Sequence, residues 1–286
     1  MPKKRKRGGL WSDAWKRLRR NRLAMLGLVI LVLFALVAIF ADFIAPYHYA
    51  EQHLDSTFRL PCREFLLGTD DTGRDILSRI IYGARISLQV GFIAVAISLV
   101  AGSALGAVAG YYGGKIDNVI MRFMDVLMAV PNILLAIVIA STLGPGLRNL
   151  MLAVGISSIP SFARMVRASI LSVKEQEFIE AAKLTGCSDA RIIVRHLLPN
   201  VLAPVIVQVT LSMALAILNA SSLSFLGLGI QPPVPEWGAM LASGRGYIRQ
   251  YWHLVTFPGL AIAIVVLAIN MLGDGLRDAL DPRLKR

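Results

Sequence analysis

The chain has 286 residues, of which 56% are hydrophobic and only 17% are charged, and its formal net charge is +12. Soluble domains carry about 25% charged residues, so this composition excludes an ordinary soluble protein. The charge-poor stretches have the length that crosses a bilayer as a helix, roughly 20 residues. Backbone amides in hydrocarbon must bond within their own segment, so we expect helices, and the short alternating segments of a membrane β-barrel do not occur.

A basic tail, residues 1–22, comes first. Its cluster Pro2–Arg7 resembles a nuclear-import or nucleic-acid patch. The cluster also precedes an apolar run, where Lys and Arg hold the cytoplasmic end of a membrane helix. We favour this second interpretation and expect no nucleic-acid partner. The run at residues 23–45 exceeds the apolar region of a cleaved signal peptide, about 7–15 residues, and predicts a retained first transmembrane helix.

Six transmembrane spans are predicted, which makes the chain an all-α polytopic membrane protein. The spans are Leu23–Ala45, Leu88–Tyr111, Val119–Thr142, Leu150–Ile170, Ala203–Leu226 and Leu254–Leu272. An even number places both termini on the same side of the membrane. With the termini inside, the inner segments hold 22 of the 30 Lys and Arg residues. Positive charge resists translocation, so the termini and residues 164–196 are predicted to be cytoplasmic.

The outer segment at residues 46–86 is long enough for some structure of its own. Thr72 and Asp75 have the spacing of a loose capping box. The residues that follow place aliphatic side chains on one helix face, with Ser78 and Arg79 away from it. This pattern predicts a helix lying in the membrane interface. A helix packed on a partner protein is the alternative.

Two features of the spans concern packing. Gly102, Gly106 and Gly110 lie one turn apart on the second span and predict the close approach of another helix backbone. Arg122 and Asp125 lie three residues apart near the inner end of the third span, where we expect them to pair on one helix face.

The outer segment at residues 228–252 is rich in Gly and Pro, and turns are expected to dominate it. Its two tryptophans, Trp237 and Trp252, suit the headgroup region of the membrane. We expect both rings at the membrane surface. The two cysteines, Cys62 and Cys187, fall on opposite sides of the membrane in this topology, so no disulfide is expected.

Catalytic constellations are missing from the sequence. The histidines have no zinc-ligand spacing, and neither a G-x-S-x-G motif nor a P-loop occurs. The chain is therefore predicted to be no enzyme, and to bind no metal, nucleotide or other cofactor. An ion-coupled secondary transporter, the alternative of a different class, keeps ionisable residues inside its spans, and here they lie near the span ends. Any driving energy is expected to come from another subunit.

The cytoplasmic loop at residues 172–199 has more structure than a connector needs. Its first half is predicted to be a short helix, which Gly186 ends from the C′ position in a left-handed conformation. Ser188 or Asp189 can cap a second helix, and Pro199 falls near the start of the fifth span, where proline is tolerated. Two short helices joined at a sharp turn can transmit motion from a partner to the adjoining spans.

This loop resembles the EAA loop of the permease subunits of ATP-binding-cassette (ABC) importers. The resemblance is carried by Glu180, Ala181, Ala182, Gly186, Leu198 and Pro199. In that family the loop forms a coupling helix that docks in a groove of the ATPase subunit, so these residues are the expected ATPase-coupling site. His196 stands where the family pattern has Ile, and no role is carried over to it.

Other segments resemble the dipeptide/oligopeptide/nickel subfamily and, within it, the C-type permease. They include "LGTDDTGRDILSRIIYGARISLQVG", "RFMDVLMAVP", "LSFLGLGIQPPVPEWGAML" and "GDGLRDALDPRLK". The resemblance implies the type I importer fold and the uptake of di- or oligopeptides, with nickel or small glycosides as alternatives. It also implies four partners: a B-type permease, two ATP-binding subunits that use ATP and Mg, and an extracytoplasmic substrate-binding protein.

The expected division of the chain follows from these interpretations. It consists of a cytoplasmic tail (1–22), a first transmembrane helix (23–45), an outer segment with an interfacial helix (46–86), a permease core (87–275) that includes the coupling loop (172–199), and a second cytoplasmic tail (276–286). The expected location is the lipid bilayer of a bacterial or archaeal plasma (inner) membrane.

Polar residues form a stripe on the fifth span, and they are Gln208, Ser212, Asn219 and Ser222. At 100° per residue they fall within an arc of about 80° on one helix face. Uncharged polar side chains are unfavourable in contact with lipid, so this face is expected to turn inward. It then either lines the transport pathway or forms hydrogen bonds between packed helices.

Overall fold

The computed structural model describes residues 10–280, and all regular secondary structure in this range is helical. The basic cluster at residues 2–7 and the end of the second tail, residues 281–286, lie outside the described residues. Within the described range, five helices are long and apolar enough to cross a membrane. Two further helices that meet at a sharp angle give a sixth crossing if they count together as one span. The prediction of an all-α polytopic membrane protein is confirmed.

The helices are named in chain order. They are α1 (Leu10–Leu18), α2 (Arg22–Ile39), α3 (Ala41–Ile44), α4 (Ile76–Tyr112), α5 (Gly114–Met128), α6 (Asn132–Leu143), α7 (Leu147–Val173), α8 (Glu177–Leu184), α9 (Asp189–Arg191), α10 (Leu198–Asn200), α11 (Leu202–Phe225), α12 (Trp237–Gly244) and α13 (His253–Leu280). The five of membrane length are α2, α4, α7, α11 and α13. Buried apolar side chains form one cluster among α4, α6, α7 and α11, and a second among α2, α4, α11, α12 and α13.

Helix α4 begins earlier than the predicted second span. The residue that caps it is Asp75 rather than Thr72, because the Asp75 carboxylate accepts the Ser78 backbone N–H at 2.8 Å. The predicted interfacial helix is therefore the first part of α4. Ser78 and Arg79 are buried, with 0% and 5% of their surface exposed, because the segments that precede α4 and α12 cover this end of the helix.

The predicted third span, residues 119–142, is not one straight helix. It consists of most of α5 and nearly all of α6, and these two helices meet at an angle of 88°. Pro131 lies at the bend. It has no N–H to continue the hydrogen bonds of α5, and its ring disfavours the helical conformation at Val130.

Two ion pairs tie α5 to α7. The Arg167 guanidinium donates two hydrogen bonds of 2.5 Å to the two carboxylate oxygens of Asp117, and Arg164 lies 2.6 Å from Asp125. The predicted pair of Arg122 with Asp125 was wrong. Local spacing on one helix allowed that pair, but α7 brings a second arginine to the same carboxylate.

The predicted close approach of another helix to the glycines of the second span is confirmed, and the other helix is α7. A Cβ atom on Gly102 would lie 2.5 Å from the Cβ atom of Phe162, and one on Gly110 would lie 2.9 Å from that of Ile170. A Cβ atom on Gly106 would overlap a backbone carbonyl oxygen of α7. The two backbones are therefore in direct contact, as small residues allow in membrane helices.

Trp237 lies in the core and not at the membrane surface, so this expectation was wrong. Its ring is 0% exposed, packs edge-on against Phe34, and donates its indole N–H to the Ile80 carbonyl at 3.1 Å. The indole has a polar partner inside the protein, so it does not need the headgroup region to satisfy it. Trp252 is half-exposed.

The residue before Trp237 fixes the start of α12. Both carboxylate oxygens of Glu236 accept backbone N–H groups, from Gly238 and Ala239, at 2.9 Å. Burial raises the pKa of the Glu236 carboxyl, while these N–H bonds act in the opposite direction. The cap holds α12 against α4 and α11 at the end of the bundle where α4 begins.

The contact between α4 and α7 gives a first prediction. We expect Gly106→Ala to lower the free energy of unfolding by about 1–3 kcal/mol, because the added methyl group forces two backbones apart. Reversible unfolding in detergent measures the change. Gly259→Ala in α13 is the matched control, since its only neighbour is a leucine methyl at 3.8 Å. Equal stability of the two variants would contradict the prediction.

Candidate coupling and translocation sites

The loop between α7 and α11 forms an elbow of two helical arms, α8 and the segment from α9 to α10. Gly186 makes the turn with a φ of +77°. The Cys187 N–H donates to the Ala182 carbonyl at 3.1 Å and the Gly186 N–H to the Lys183 carbonyl at 3.0 Å. These are the two bonds of a Schellman motif, so the left-handed conformation predicted at Gly186 is confirmed.

The second arm of the elbow is helical, as predicted, but its middle part, Ile192–Leu197, is a π-helix. Pro199 has no N–H to give to the carbonyl of Arg195, four residues before it. The Leu198 N–H bonds to the Ile193 carbonyl, five residues back, and not to the carbonyl four residues back as in an α-helix. A widened turn of this kind accommodates the proline and redirects the chain into α11.

The predicted coupling residues lie on both sides of the elbow. Four of them are exposed: Glu180, Ala181, Gly186 and Pro199. Ala182 is buried, and Leu198 is half-buried. The exposed residues are available to a partner, whereas the other two hold the elbow to the helices beneath it.

An apolar cluster fixes the underside of the elbow to the bundle. Its elbow members are fully or nearly fully buried, and they are Ile179, Ala182, Ile192 and Leu197. They pack on Ala107 of α4 and on Val166 and Ile170 of α7. Burying an aliphatic side chain contributes roughly 1.5–3 kcal/mol, so the two arms are held as a rigid attachment of α4 and α7.

Tyr111, at the end of α4, contacts both arms of the elbow. Its hydroxyl donates to the Asp189 carboxylate at 2.6 Å, and the Lys183 ammonium lies 5.7 Å from the centre of its ring. Ser188, one of the two predicted caps, is the N-cap residue of the second arm, but its side chain makes no capping bond. Asp189, the other, bonds to Tyr111 instead. Tyr111 was not among the residues predicted from the sequence, and its position at the end of a membrane-length helix was the available signal.

The outward face of the elbow carries exposed apolar side chains that sequence analysis also missed. Leu184 is 89% exposed, Val194 64% and Phe178 37%. The signal was present in α8, where Ile179 and Ala182 lie on one face of the helix and Ala181 and Leu184 on the opposite face. One face packs on the bundle, so the other is left for a partner.

The polar residues of the fifth span lie on α11 without forming one network. Gln208 donates to Ser212 at 3.1 Å, and the Ser222 hydroxyl donates to the Leu218 carbonyl at 2.8 Å. Ser212 is buried, Gln208 is half-buried, and Ser222 is exposed, where it lines a groove among α11, α12 and α13. The stripe therefore passes from the packed interior to an open surface.

Asn219, the fourth residue of the stripe, contacts the bend between α5 and α6. Its side-chain amide donates to the Asn132 side-chain oxygen at 2.9 Å. The Asn132 amide in turn donates to the Ser157 carbonyl of α7 at 2.7 Å. Sequence analysis missed Asn132, although an amide directly after a proline inside an apolar run was a visible signal.

Residues 102–286 match the family described as the inner membrane component of binding-protein-dependent transport systems. The chain belongs to this family. Residues 9–61 also match the N-terminal transmembrane domain of oligopeptide transport permease C. The resemblance inferred from the EAA loop is confirmed at the level of the family.

Several relatives in this family cover almost the whole chain. The dipeptide transport system permease protein DppC of Alkalihalophilus pseudofirmus is 52% identical over 275 residues, which cover 96% of this chain and 90% of the relative. DppC of Haemophilus influenzae is 46% identical and covers 96% of this chain and 95% of its own length. The glutathione transport system permease protein GsiD of Escherichia coli O157:H7 is 49% identical, with coverages of 96% and 91%.

Solved structures share the fold at low sequence identity. A chain of the MetNI methionine ABC transporter in an inward-facing conformation superposes with a TM-score of 0.59 at 19% identity, over 72% of this chain and 98% of its own. A chain of an amino acid ABC transporter gives 0.54 at 16% identity, over 71% and 94%. The predicted ABC importer permease fold is confirmed.

Family membership decides between the classes of function left open by the sequence. The chain is a transport permease of an inner membrane and not an enzyme, and the family needs no cofactor of its own. Permeases of this family work with a partner permease, ATPase subunits and a substrate-binding protein. An ion-coupled transporter is therefore not supported.

The turn at Gly186 gives a second prediction. Gly186→Val places a β-branched residue at a φ of +77°, which costs on the order of 1–3 kcal/mol of backbone strain. We expect the elbow to lose its shape, so that less ATPase subunit copurifies while the amount of permease in the membrane stays the same. Gly246→Val is the control, because that glycine also has open space around it but no positive φ. Undiminished copurification with the Gly186 variant would show that the turn needs no glycine.

Proposed function

We propose that the chain is the C-type permease subunit of an ABC importer that takes up di- and oligopeptides. The observation that carries this proposal is the 46–52% identity, over 96% of the chain, to permeases named for dipeptide transport. A relative named for glutathione transport, at 49% identity, fits the same class because glutathione is itself a small peptide. Nickel and small glycosides, the alternatives from the sequence, are named in none of these relatives.

The same proposal assigns the source of energy to partner subunits. Two ATP-binding subunits hydrolyse ATP with Mg, a B-type permease forms the other half of the pathway, and an extracytoplasmic binding protein delivers the peptide. The elbow docks on an ATPase subunit through its exposed face. Glu180, Ala181 and Gly186 are exposed, and so are the apolar side chains of Leu184 on the first arm and Val194 on the second.

The polar stripe of α11 is the proposed lining of the pathway. Its residues Gln208, Ser212, Asn219 and Ser222 are uncharged, so they give a peptide hydrogen-bonding partners without holding it by charge. The bond from Asn219 to another helix supports an inward orientation of this part of the stripe, and Ser222 continues the stripe into the groove among α11, α12 and α13.

Uptake of a labelled dipeptide tests the proposed function. Cells that lack their own peptide importers would receive the permease together with its four partners. We expect ATP-dependent uptake of the labelled dipeptide. Unlabelled peptides should reduce this uptake by competition, whereas nickel ions or glycosides should leave it unchanged. Glu180→Ala should reduce the uptake rate only partly, because the exposed carboxylate contributes to docking alongside apolar side chains. Competition by nickel or by a glycoside, but not by peptides, would refute the peptide assignment.

The orientation of the chain gives a further prediction. The distribution of Lys and Arg supports cytoplasmic termini, which places the elbow inside and residues 46–75 outside. In a variant without its native cysteines, we expect an impermeant thiol reagent to label Leu54→Cys in intact cells and Leu184→Cys only after permeabilisation. Both sites are open, with exposures of 69% and 89%, and the ATPase subunits are omitted so that they do not cover the elbow. The reverse pattern would overturn the orientation.

A further inference from the structure

A recess lies at the bend between α5 and α6. It has a volume of about 120 Å³, several times the roughly 30 Å³ that a water molecule takes up in the liquid. All of the residues that line it are uncharged, and its walls are formed by α5, α6 and α7. The polar groups among them are the side chains of Asn132, Ser157 and Ser161. The recess therefore provides hydrogen bonds without a net charge.

Prolines on two walls of the recess release backbone carbonyl groups. Pro131 has no N–H for the carbonyl of Leu127, and Pro160 has none for the carbonyl of Ile156. Such groups are tolerated at membrane depth only where protein or a water-filled cavity satisfies them. Helix α6, with 12 residues, rises about 18 Å, which is less than the bilayer core of about 30 Å. In the proposed orientation the bend therefore lies within the bilayer.

Asn132 has unused hydrogen-bonding capacity at this recess. A primary amide offers two N–H donors and an oxygen with two lone pairs. One donor is bonded to the Ser157 carbonyl at 2.7 Å and one lone pair to the Asn219 amide at 2.9 Å. Within residues 10–280, one donor and one lone pair of this amide have no hydrogen-bond partner. A peptide unit presents the complementary set, which is one C=O and one N–H.

We propose that this recess is a binding station for the peptide backbone during translocation, with Asn132 as the contact and Asn219 as the residue that orients it. The proposal rests on the proposed function, since it assigns a ligand class to a site on the same pathway. An uncharged site that forms hydrogen bonds with the backbone amide accepts peptides with any side chains. Asn219 belongs to the polar stripe of α11, so its bond to Asn132 connects the stripe to the recess at one point.

Transport by the complete importer tests this station, with Asn132→Leu as the main variant. We compare a dipeptide with its ester analogue, in which oxygen replaces the backbone N–H, each at a concentration that saturates the binding protein. The wild type should take up the ester at least fivefold more slowly. Asn132→Leu should lower dipeptide uptake at least tenfold and abolish the preference for the amide, while ATP hydrolysis stays within twofold of the wild type. Asn118→Leu is the matched control on exposed surface of α5, and we expect its uptake within twofold of the wild type.

The other outcomes separate this inference from the proposed function. If Asn132→Leu loses uptake and ATP hydrolysis together and keeps the amide preference, Asn132 only stabilises the bend and the station is refuted. If that variant fails to insert, Ser161→Val takes its place, because Ser161 is exposed on the recess wall. Ser161→Val should lower about threefold the ratio of dipeptide uptake to ester uptake. An unchanged ratio refutes the proposed binding station. A wild type that transports neither compound refutes the proposed function and the peptide assignment together.

Discussion

The direct contact between the backbones of α4 and α7 is the constraint on which the other features depend. It requires glycine at positions such as Gly106, because any side chain there would separate the helices. With the two backbones together, Ile170 of α7 and Ala107 of α4 form a common floor for the elbow. The same α7 brings the Ser157 carbonyl to the bend between α5 and α6. The elbow and the recess are thus built on one pair of helices.

Local signals in the sequence were sufficient to predict the turn of the elbow. The turn at Gly186 depends on the φ angle of a single residue, and glycine is the residue that adopts it without strain. The docking face was predicted only in part, because exposure of Leu184 depends on which side of α8 meets the bundle. Apolar residues at helical spacing indicate that a face is covered, but they do not tell which of two apolar faces meets this chain and which meets a partner.

Features set by long-range contacts were not predictable in the same way. A hydropathy profile adds up composition along the chain and carries no direction, so residues 119–142 gave one span although Pro131 bends it by 88°. Spacing within one helix suggested a partner for Asp125, but the partner is Arg164, 39 residues further along. Tryptophan at a span end suggested the membrane surface, whereas the partners that bury Trp237 come from other parts of the chain.

The two ion pairs between α5 and α7 differ in exposure and therefore in strength. The pair of Arg167 with Asp117 is bidentate and lies near the start of α5, with side-chain exposures of 31% and 13%, so water screens it only partly. The pair of Arg164 with Asp125, near the bend, is about half-exposed on both sides, and exposed pairs contribute roughly 0–1 kcal/mol. Of the two ion pairs, the one at the start of α5 is therefore the stronger.

A continuous path of contacts joins the elbow to the recess. The elbow packs on α7 through its apolar floor, and α7 is bonded to the start of α5 by Arg167 and Asp117. The end of α5 forms one wall of the recess, and opposite it the side chain of Asn132 is bonded to α7 and α11. If the elbow docks on an ATPase subunit as proposed, these contacts connect the docking surface to the recess.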